Sequence, residues 1–361
     1  MSAPLADDDI VTTLADVAPG DREPLLVIEP LRAFLHEHGL AGPAELDAAP
    51  IGDGHSNVTF ALSTGVVLRR PPRGPLPPSA HDVLREARLL RALEPTAVRV
   101  PRVLAVCEDQ TLIGAPFYVM EKVEGEVITS AVPPALAGPA QAARIAEQLV
   151  DALVELHAVA WETLELQHFG RPTGYLDRQL RRFAGLWEHN KTRDVPEVAE
   201  VGRWLTEHRP EPDPAQPATI VHGDYRLGNV MYGHGAPARL VAIFDWEMAT
   251  IGDPLADVGY MVSHWREPGD PPTRFNLQTA TEQPGFPTRR QLVELYARRS
   301  GRTVEALDWY TVLAVWKAVV FMEGNYRRAL TGATDDPYLK TFGDGVVELA
   351  RRALAVTRDG L

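Results

Sequence analysis

The first third of the chain alternates short apolar runs with polar turns, a pattern that is typical of strands with a few helices between them. The predicted elements are a helix over 29–40, strands over 58–62 and 66–70, a helix over 81–93, and strands within 101–109 and 115–123. Proline-rich breaks separate these runs. This part of the chain is therefore expected to form a small sheet with one or two helices against it.

From Pro139 the apolar positions recur with the period of long helices. Two sets show this spacing: Ile145, Leu149, Ala152 and Leu156, and then Leu176, Leu180, Phe183 and Trp187. Two short apolar runs follow, and each ends in polar residues. The rest of the chain is predicted to be helical, apart from a long interruption at 266–287. The order is thus strands first and helices afterwards.

The composition narrows the class of protein. A length of 361 residues suggests about two domains. Acidic residues outnumber basic ones, 49 to 36, which argues against nucleic acid as the main partner because phosphate contacts need a basic surface. The single cysteine, Cys107, excludes an internal disulfide and a cysteine-based zinc site. We interpret the chain as cytoplasmic, since that compartment is reducing.

The chain carries no obvious targeting or membrane signal. Its first residues, MSAPLADDDI, are acidic where a signal peptide would be basic. No run reaches the ~18 apolar residues that a membrane helix needs, so no membrane partner is expected. The Ala-, Asp- and Pro-rich segment 1–24 is predicted to be a flexible tail.

The segment HGDYRLGN (222–229) is the most informative part of the sequence. It contains Asp224 and Asn229 after one apolar run, and Asp245 ends the next such run. Phosphoryl transfer needs these groups: a carboxylate that orients the acceptor hydroxyl and takes its proton, and an amide oxygen and a second carboxylate that hold Mg²⁺ against the phosphates of ATP. We therefore predict that Asp224 and Asn229 are catalytic and that Asn229 and Asp245 bind the metal. A solvated polar turn is the alternative.

A histidine and two aspartates near this segment are expected to have structural rather than catalytic roles. No second His or Cys stands at ligand spacing from His222, so this histidine is expected to brace the loop by hydrogen bonds. Asp253 and Asp257 precede or open a predicted helix, where they could simply cap it.

Protein kinases share the spacing of Asp, four residues and Asn, followed by a later metal-binding Asp. With HGDYRLGNVMY and IFDWEMATIGDPLADVGY, this chain resembles the aminoglycoside phosphotransferase and choline kinase superfamily. The phrases LRRPP, SAHDVLREARLL, VPRVLAVCED and GAPFYVMEKVEG resemble one branch, the kinase-like domains associated with acyl-CoA dehydrogenases. The resemblance also implies that Asp257 is a structural partner of the catalytic loop.

The resemblance implies an α+β, bilobal, protein-kinase-like fold. A small N-lobe with an antiparallel sheet, the nucleotide loop and the hinge would span 25–122. A large helical C-lobe with the catalytic loop and the substrate region would span 123–361. The tail over 1–24 would precede both.

The sequence patterns that predict the nucleotide-binding residues are less specific than those of the segment 222–229. In IGDGHSNVTFAL (51–62) two glycines would let the backbone approach a phosphate, and Ser56 and Asn57 could add donors, although a plain hairpin turn has the same pattern. The lysine that kinases place on the third strand is missing. VVLRRPP offers Arg69 and Arg70 instead, of which only one can face a cleft, and the family position favours Arg69, paired with Glu86.

The segment 116–125 resembles the hinge between kinase lobes, which implies that backbone groups near Glu121 and Val123 read the adenine edge. Together these residues predict an ATP- and Mg²⁺-dependent kinase of a small-molecule hydroxyl. A catalytically silent nucleotide-binding regulator is the alternative that the missing lysine favours. A protein kinase is disfavoured because the DFG and APE segments are absent.

The charge distribution bears on the acceptor. Residues 286–361 carry 12 basic against 9 acidic residues in an otherwise acidic chain. That sign disfavours a polycation such as an aminoglycoside or another amino alcohol, and it suits an anion. The resemblance implies a partner from an acyl-CoA dehydrogenase pathway. We therefore expect the hydroxyl of a hydroxyacyl-CoA or a hydroxy acid as the acceptor.

Overall fold

A computed structural model describes residues 9–17, 22–40, 42, 45–52, 57–74, 81–211, 213, 216–271, 278–332 and 337–360. Contacts within the chain divide it into two units. The first comprises Met1–Thr96 and Val100–Glu124, and the second comprises Ala97–Arg99 and Gly125–Leu361.

The first unit is built around a five-stranded antiparallel sheet with the strand order β3-β4-β5-β7-β6. Its elements are β1 (Ile10–Val11), β2 (Leu26–Val27), α1 (Ile28–Glu37), β3 (Ala48–Ile51), β4 (Val58–Leu62), β5 (Val66–Arg70), α2 (Val83–Leu93), β6 (Val103–Cys107) and β7 (Phe117–Glu121). The strands predicted at 58–62 and 66–70 and the helices predicted at 29–40 and 81–93 are confirmed, with small shifts at the helix ends. Gly65 turns the chain between β4 and β5 with a φ of 82°.

The expectation of a flexible tail over 1–24 needs correction for its described part. Ile10–Val11 pairs in parallel with Leu26–Val27, and the backbone N–H of Leu25 donates to the carbonyl of Asp9 at 2.7 Å. The Ala-, Asp- and Pro-rich composition obscured one apolar pair, Ile10–Val11, which is enough to add a short strand beside another apolar pair.

The second unit is mainly helical. Its elements are β8 (Glu126–Val127), α3 (Pro139–His157), α4 (Tyr175–Asn190), α5 (Pro196–Glu207), β9 (Thr219–Val221), β10 (Val230–Tyr232), β11 (Leu240–Ile243), β12 (Thr250–Gly252), α6 (Leu255–Ser263), α7 (Arg289–Ser300), α8 (Leu307–Leu330), α9 (Pro337–Lys340) and α10 (Phe342–Asp359). The predicted change from strands to long helices, and with it the mixed fold with an antiparallel sheet and a large helical region, is confirmed.

Helix α8 forms the centre of the second unit. Its residues from Trp309 to Val320 are all buried, as expected for a helix that packs on several sides. It lies against α4, α5, α6 and α10. Even so, no helix among the described residues is both long enough and apolar enough to cross a membrane.

Candidate phosphotransfer site

The loop 222–229, the predicted catalytic loop, lies between two antiparallel strand pairs of the second unit. Strand β9 pairs with β12, and β10 pairs with β11. The loop leaves β9 at His222 and enters β10 after Asn229. Gly223 has a φ of 86°, and a Cβ atom there would lie 2.8 Å from the carbonyl oxygen of Met248. Glycine is therefore required at this position.

Asp257, on α6, anchors the start of the loop. Its carboxylate is fully buried and accepts the backbone N–H groups of His222 at 2.7 Å and Gly223 at 2.8 Å. Nε2 of His157 lies 3.2 Å from the same carboxylate, and the Tyr296 hydroxyl lies 2.8 Å from Nδ1 of that histidine. Asp257 thus holds the loop in place, as the resemblance implied. Asp253, in contrast, lies two residues before α6 and accepts the N–H of its first residue, Leu255, at 2.9 Å.

His222 braces the loop, as predicted. The backbone N–H of Asp224 donates to Nδ1 of His222 at 3.2 Å, which leaves the proton on Nε2. Nε2 then donates to the carbonyl of Phe244 at 2.9 Å. The His222 imidazole therefore links the backbone of Asp224 to that of Phe244, the residue before Asp245.

Asp224 is surrounded by hydrogen-bond donors. Nδ2 of Asn229 donates to Oδ2 of Asp224 at 2.7 Å, and Nε of Arg226 donates to Oδ1 at 3.3 Å. The hydroxyl of Tyr260 is a further donor. Burial by itself would raise the pKa of the Asp224 carboxyl, but Arg226, Tyr260 and His264 outweigh burial and hold that pKa below its usual range. The carboxylate is therefore ionised at neutral pH.

Asp245 is brought beside Asn229 by strand register. Val230 faces Ile243 across β10 and β11, and the N–H of Phe244 donates to the carbonyl of Asn229 at 2.8 Å. Asp245 follows in the left-handed region, with φ 64° and ψ 60°. Its charge helps to raise the pKa values of Arg226 and Tyr260, so it acts on the same groups that surround Asp224.

Asn229 and Asp245 suit a hard cation. Because Nδ2 of Asn229 faces Asp224, the Oδ1 atom of the amide is directed away from that carboxylate. An amide oxygen and a carboxylate are ligands that Mg²⁺ accepts, with water and phosphate oxygens in its other positions. Within the described ranges, no group of three or more His, Cys, Asp or Glu side chains forms a metal cluster.

Three residues around Asp224 were not predicted from the sequence: Arg226, Tyr260 and His264. Tyr260 and His264 are four residues apart on α6 and its C-terminal cap, and their rings stack with centroids 4.4 Å apart. Burial, together with Arg226, lowers the pKa of His264 to about 4, so its ring is neutral at physiological pH. The spacing of Tyr260 and His264 marks a shared helix face, but nothing in the sequence indicates that this face meets Asp224.

In the first unit, Arg69 and Glu86 form an ion pair, with Nε of Arg69 3.0 Å from Oε2 of Glu86. Nη1 of Arg69 also donates to the Thr59 hydroxyl at 3.2 Å, across β4 and β5. Nδ2 of Asn57 lies 3.5 Å from the same Glu86 oxygen. Three of the predicted nucleotide-binding residues thus meet on one face of the sheet.

Arg70 points the other way and is 3 % exposed. It donates to the carbonyl of Leu25, to that of Ile113 at 3.0 Å and to that of Pro71 at 3.0 Å. Burial lowers the pKa of Arg70 to about 10. Arg70 is therefore a structural residue, and Arg69 is the arginine that pairs with Glu86.

Two further predicted residues, Glu121 and Val123, lie at the end of β7 and shortly after it. The Glu121 N–H donates to the carbonyl of Arg102 at 2.9 Å, and its carboxylate accepts the Arg102 N–H at 3.1 Å. Val123 follows β7 in an irregular segment and is partly buried. Ser56 lies outside the described residues.

The comparisons with known proteins identify the family. Residues 47–292 match the phosphotransferase enzyme family known as APH. This chain belongs to that family. The predicted enzyme class, a phosphotransferase, is thereby confirmed. Enzymes of this family use a nucleotide co-substrate and act on a hydroxyl group of a small molecule.

Curated relatives point to the branch that the sequence resembles. The chain is 31 % identical to human acyl-CoA dehydrogenase family member 11 over 91 % of its length, and 32 % identical to mouse acyl-CoA dehydrogenase family member 10 over 89 %. It spans only 43 % and 30 % of those two proteins. The resemblance to the kinase-like domains of acyl-CoA dehydrogenases is confirmed at this level.

Solved structures agree on the fold. A protein of Ralstonia eutropha JMP134, provisionally named as an aminoglycoside phosphotransferase, is 29 % identical, with a TM-score of 0.76 over 91 % of this chain and 98 % of its own. A GDP complex of aminoglycoside 2'-phosphotransferase-IIIa is 16 % identical, with a TM-score of 0.60 over 90 % of this chain and 99 % of its own, which shows the fold alone.

Proposed function

We propose that this protein transfers the γ-phosphate of ATP to the hydroxyl of an anionic small molecule, a hydroxyacyl-CoA or a related hydroxy acid. The observation that carries the phosphotransfer part is the hydrogen bond between Asn229 and Asp224, combined with the register that sets Asp245 next to Asn229. A base and two metal ligands in this order are the groups that phosphoryl transfer requires.

Asp224 would orient the acceptor hydroxyl. Asn229 and Arg226 hold its two carboxylate oxygens, which limits rotation of the side chain. Its low pKa makes it a weak base, and a weak base is sufficient because the transition state of phosphoryl transfer is loose and positioning matters more than early proton removal. The hydroxyl oxygen bonds to phosphorus, its proton passes to the Asp224 carboxylate, and ADP leaves with the electrons of the broken P–O bond.

Asn229 and Asp245 would hold Mg²⁺, through Oδ1 and a carboxylate oxygen. When bound, the ion supplies positive charge to the nucleotide phosphates. The left-handed backbone at Asp245 tolerates few residue types other than Gly, Asn and Asp, which supports a dedicated role for this carboxylate.

On the nucleotide side we propose that Arg69 contacts phosphate while Glu86 and Thr59 hold its guanidinium. Arginine keeps the positive charge of the missing lysine and offers a fork of donors. Ser56 and Asn57 remain proposed phosphate contacts, and the backbone near Glu121 and Val123 remains the proposed adenine contact.

The proposed acceptor is supported by the names of the curated relatives and by the basic balance of residues 286–361. It implies an acyl-CoA dehydrogenase in the same pathway. The second candidate is an aminoglycoside or another amino alcohol. It is favoured by neighbours such as the complex of aminoglycoside phosphotransferase APH(4)-Ia with AMP-PNP and hygromycin B.

The test measures nucleoside diphosphate release from purified protein with Mg·ATP or Mg·GTP. The acceptors are hydroxybutyryl-CoA, hydroxybutyrate, choline and kanamycin. Release should be fastest with the two anionic acceptors. If kanamycin is phosphorylated and neither anionic acceptor is, the proposed acceptor is wrong, but the kinase function stands. Nucleotide binding without release with any acceptor would favour the silent regulator.

A further inference from the structure

Lys317, on α8, is the buried lysine of this chain. The sequence contains four lysines. Lys122, Lys191 and Lys340 are exposed, whereas Lys317 is only 7 % exposed. Arginine serves at most basic positions here, so a lysine in the centre of the helical unit is unusual for this protein.

Among the described residues, the Lys317 ammonium has an aromatic neighbour but no carboxylate within ion-pair distance. Nζ lies 5.0 Å from the ring centroid of Phe183 on α4. Across the part of the chain that the structure describes, Lys317 forms no ion pair. Removing an ammonium from water without a counter-ion is unfavourable, and one cation–π contact offsets only part of that cost.

Arg182 and Phe321 neighbour this pair. We call the four side chains together the Lys317 site: Lys317, Arg182, Phe183 and Phe321. Arg182 precedes Phe183 on α4, is exposed, and forms no ion pair with any described residue. Phe321 lies one helical turn after Lys317, is 41 % exposed, and packs edge-on against Phe183 with the centroids 5.1 Å apart. The site therefore combines two cations with an accessible apolar wall.

Helix α8, which carries Lys317, packs against α6, which carries Asp257, so the Lys317 site lies in the part of the unit that anchors the loop 222–229. Burial and the charge of Arg182 together lower the pKa of Lys317 to about 8, against the opposing charges of Asp257 and Asp224. Asp257 does not need the lysine as a partner, because two backbone N–H groups and His157 already surround it.

We propose that Lys317, assisted by Arg182, binds an anionic oxygen group of the acceptor, a carboxylate or a phosphate, while Phe321 contacts the apolar part of the same molecule. Lys317 would then be a specificity-determining residue that selects anionic over neutral and cationic hydroxyl compounds. The inference rests on the proposed kinase function, and it assigns the recognition of the acceptor to named side chains.

The experiment compares wild type with Lys317→Met, Lys317→Arg and Arg182→Gln, and uses the exposed Lys340→Met as the matched control. The acceptors are hydroxybutyrate, which has a free carboxylate, hydroxybutyryl-CoA, which has only the phosphates of CoA, and butanediol, which has no charge. Lys317→Met should raise the KM for the anionic acceptor by roughly 10- to 100-fold, as expected for the loss of a charged hydrogen bond. Lys317→Arg should restore most of the affinity, and Arg182→Gln should have a smaller effect.

The pH profile separates binding from a structural role. As the pH rises through about 8, Lys317 loses its proton, so kcat/KM for the anionic acceptor should fall in wild type. The fall should be absent in Lys317→Arg, because arginine remains charged. The charged groups that act on Lys317 are Asp257, Arg182 and Asp224.

Binding measured by calorimetry distinguishes the possible failures. If wild type binds hydroxybutyrate or CoA and Lys317→Met does not, the site stands even where no phosphate is transferred, and the two ligands tell carboxylate from phosphate. If wild type phosphorylates anionic acceptors and Lys317→Met keeps the wild-type KM, the site is wrong and the kinase function stands. Failure of wild type to bind any of these anions also overturns the site. Because Arg182 is exposed, Arg182→Gln keeps the test valid even if Lys317→Met does not fold.

Discussion

Nδ2 of Asn229 donates to both the Oδ2 atom of Asp224, at 2.7 Å, and the backbone carbonyl of Asp224, at 2.9 Å. One amide thus fixes the side chain and the backbone of the proposed base. The same contacts direct Oδ1 of Asn229 to the opposite side, where a metal could bind. The Asn229 side chain therefore orients both the proposed base and its own oxygen, the proposed metal ligand.

Asp224→Asn should lower kcat by about 10²–10⁴-fold, because the variant cannot accept the hydroxyl proton and its amide would face the amide of Asn229. The affinity for ATP should change little. Steady-state kinetics and nucleotide titration check both points. Asp194→Asn, which alters an exposed carboxylate, is the control. A near wild-type kcat in Asp224→Asn would remove this residue from the mechanism.

Asp245→Asn should raise the Mg²⁺ concentration for half-maximal rate by roughly tenfold or more, because the site has few other protein ligands. Asparagine tolerates the left-handed backbone at this position, so the variant removes the charge without adding strain. Asn229→Ala should shift the Mg²⁺ dependence in the same direction. An unchanged Mg²⁺ dependence in both variants would mean that the metal is held by other residues.

Arg69→Ala and Arg70→Ala should fail in different ways. Arg69→Ala should raise the KM for ATP and leave Glu86 without its ion pair. Arg70→Ala should instead lower the free energy of unfolding by about 3 kcal/mol, because three buried carbonyls lose a charged donor. Denaturant unfolding and ATP kinetics on both proteins separate the effects. The opposite pattern would assign the phosphate contact to Arg70.

His264 should make the protein sensitive to acid. Its pKa is lowered from 6.5 to about 4 in the folded state, so between these values the unfolded chain binds a proton that the folded chain does not. The contribution of neutral His264 to the free energy of unfolding is therefore fully present above pH 6.5. It is lost as the pH falls towards 4, by about 3 kcal/mol in total.

Replacing His264 with Gln should remove this loss. Urea unfolding near pH 7 and near pH 4.5 measures it as the difference between wild type and variant. His168→Gln, at an exposed position, is the control and should follow wild type at both pH values. Equal acid sensitivity in wild type and His264→Gln would show that other groups dominate.

The sequence by itself determined most of the strands and helices, and it singled out the residues of the loop 222–229 as candidates for catalysis. The strands at 58–62 and 66–70 end where alternation predicted, because the period of side chains along a strand is set locally. Asp224, Asn229 and Asp245 were recognisable because their spacing along the chain, at the ends of apolar runs, is itself the signal. Those features depend on neighbouring residues and need no knowledge of distant contacts.

Tertiary structure decided which side chains meet. Alternation shows that Arg69 and Arg70 face opposite sides, but only the packing of α2 against the sheet places Glu86 next to Arg69. Tyr260 and His264 reach Asp224, and Lys317 lies over Phe183, through contacts between helices that are far apart in sequence. Local patterns carry no information about such contacts, because they arise when whole elements pack together and exclude water.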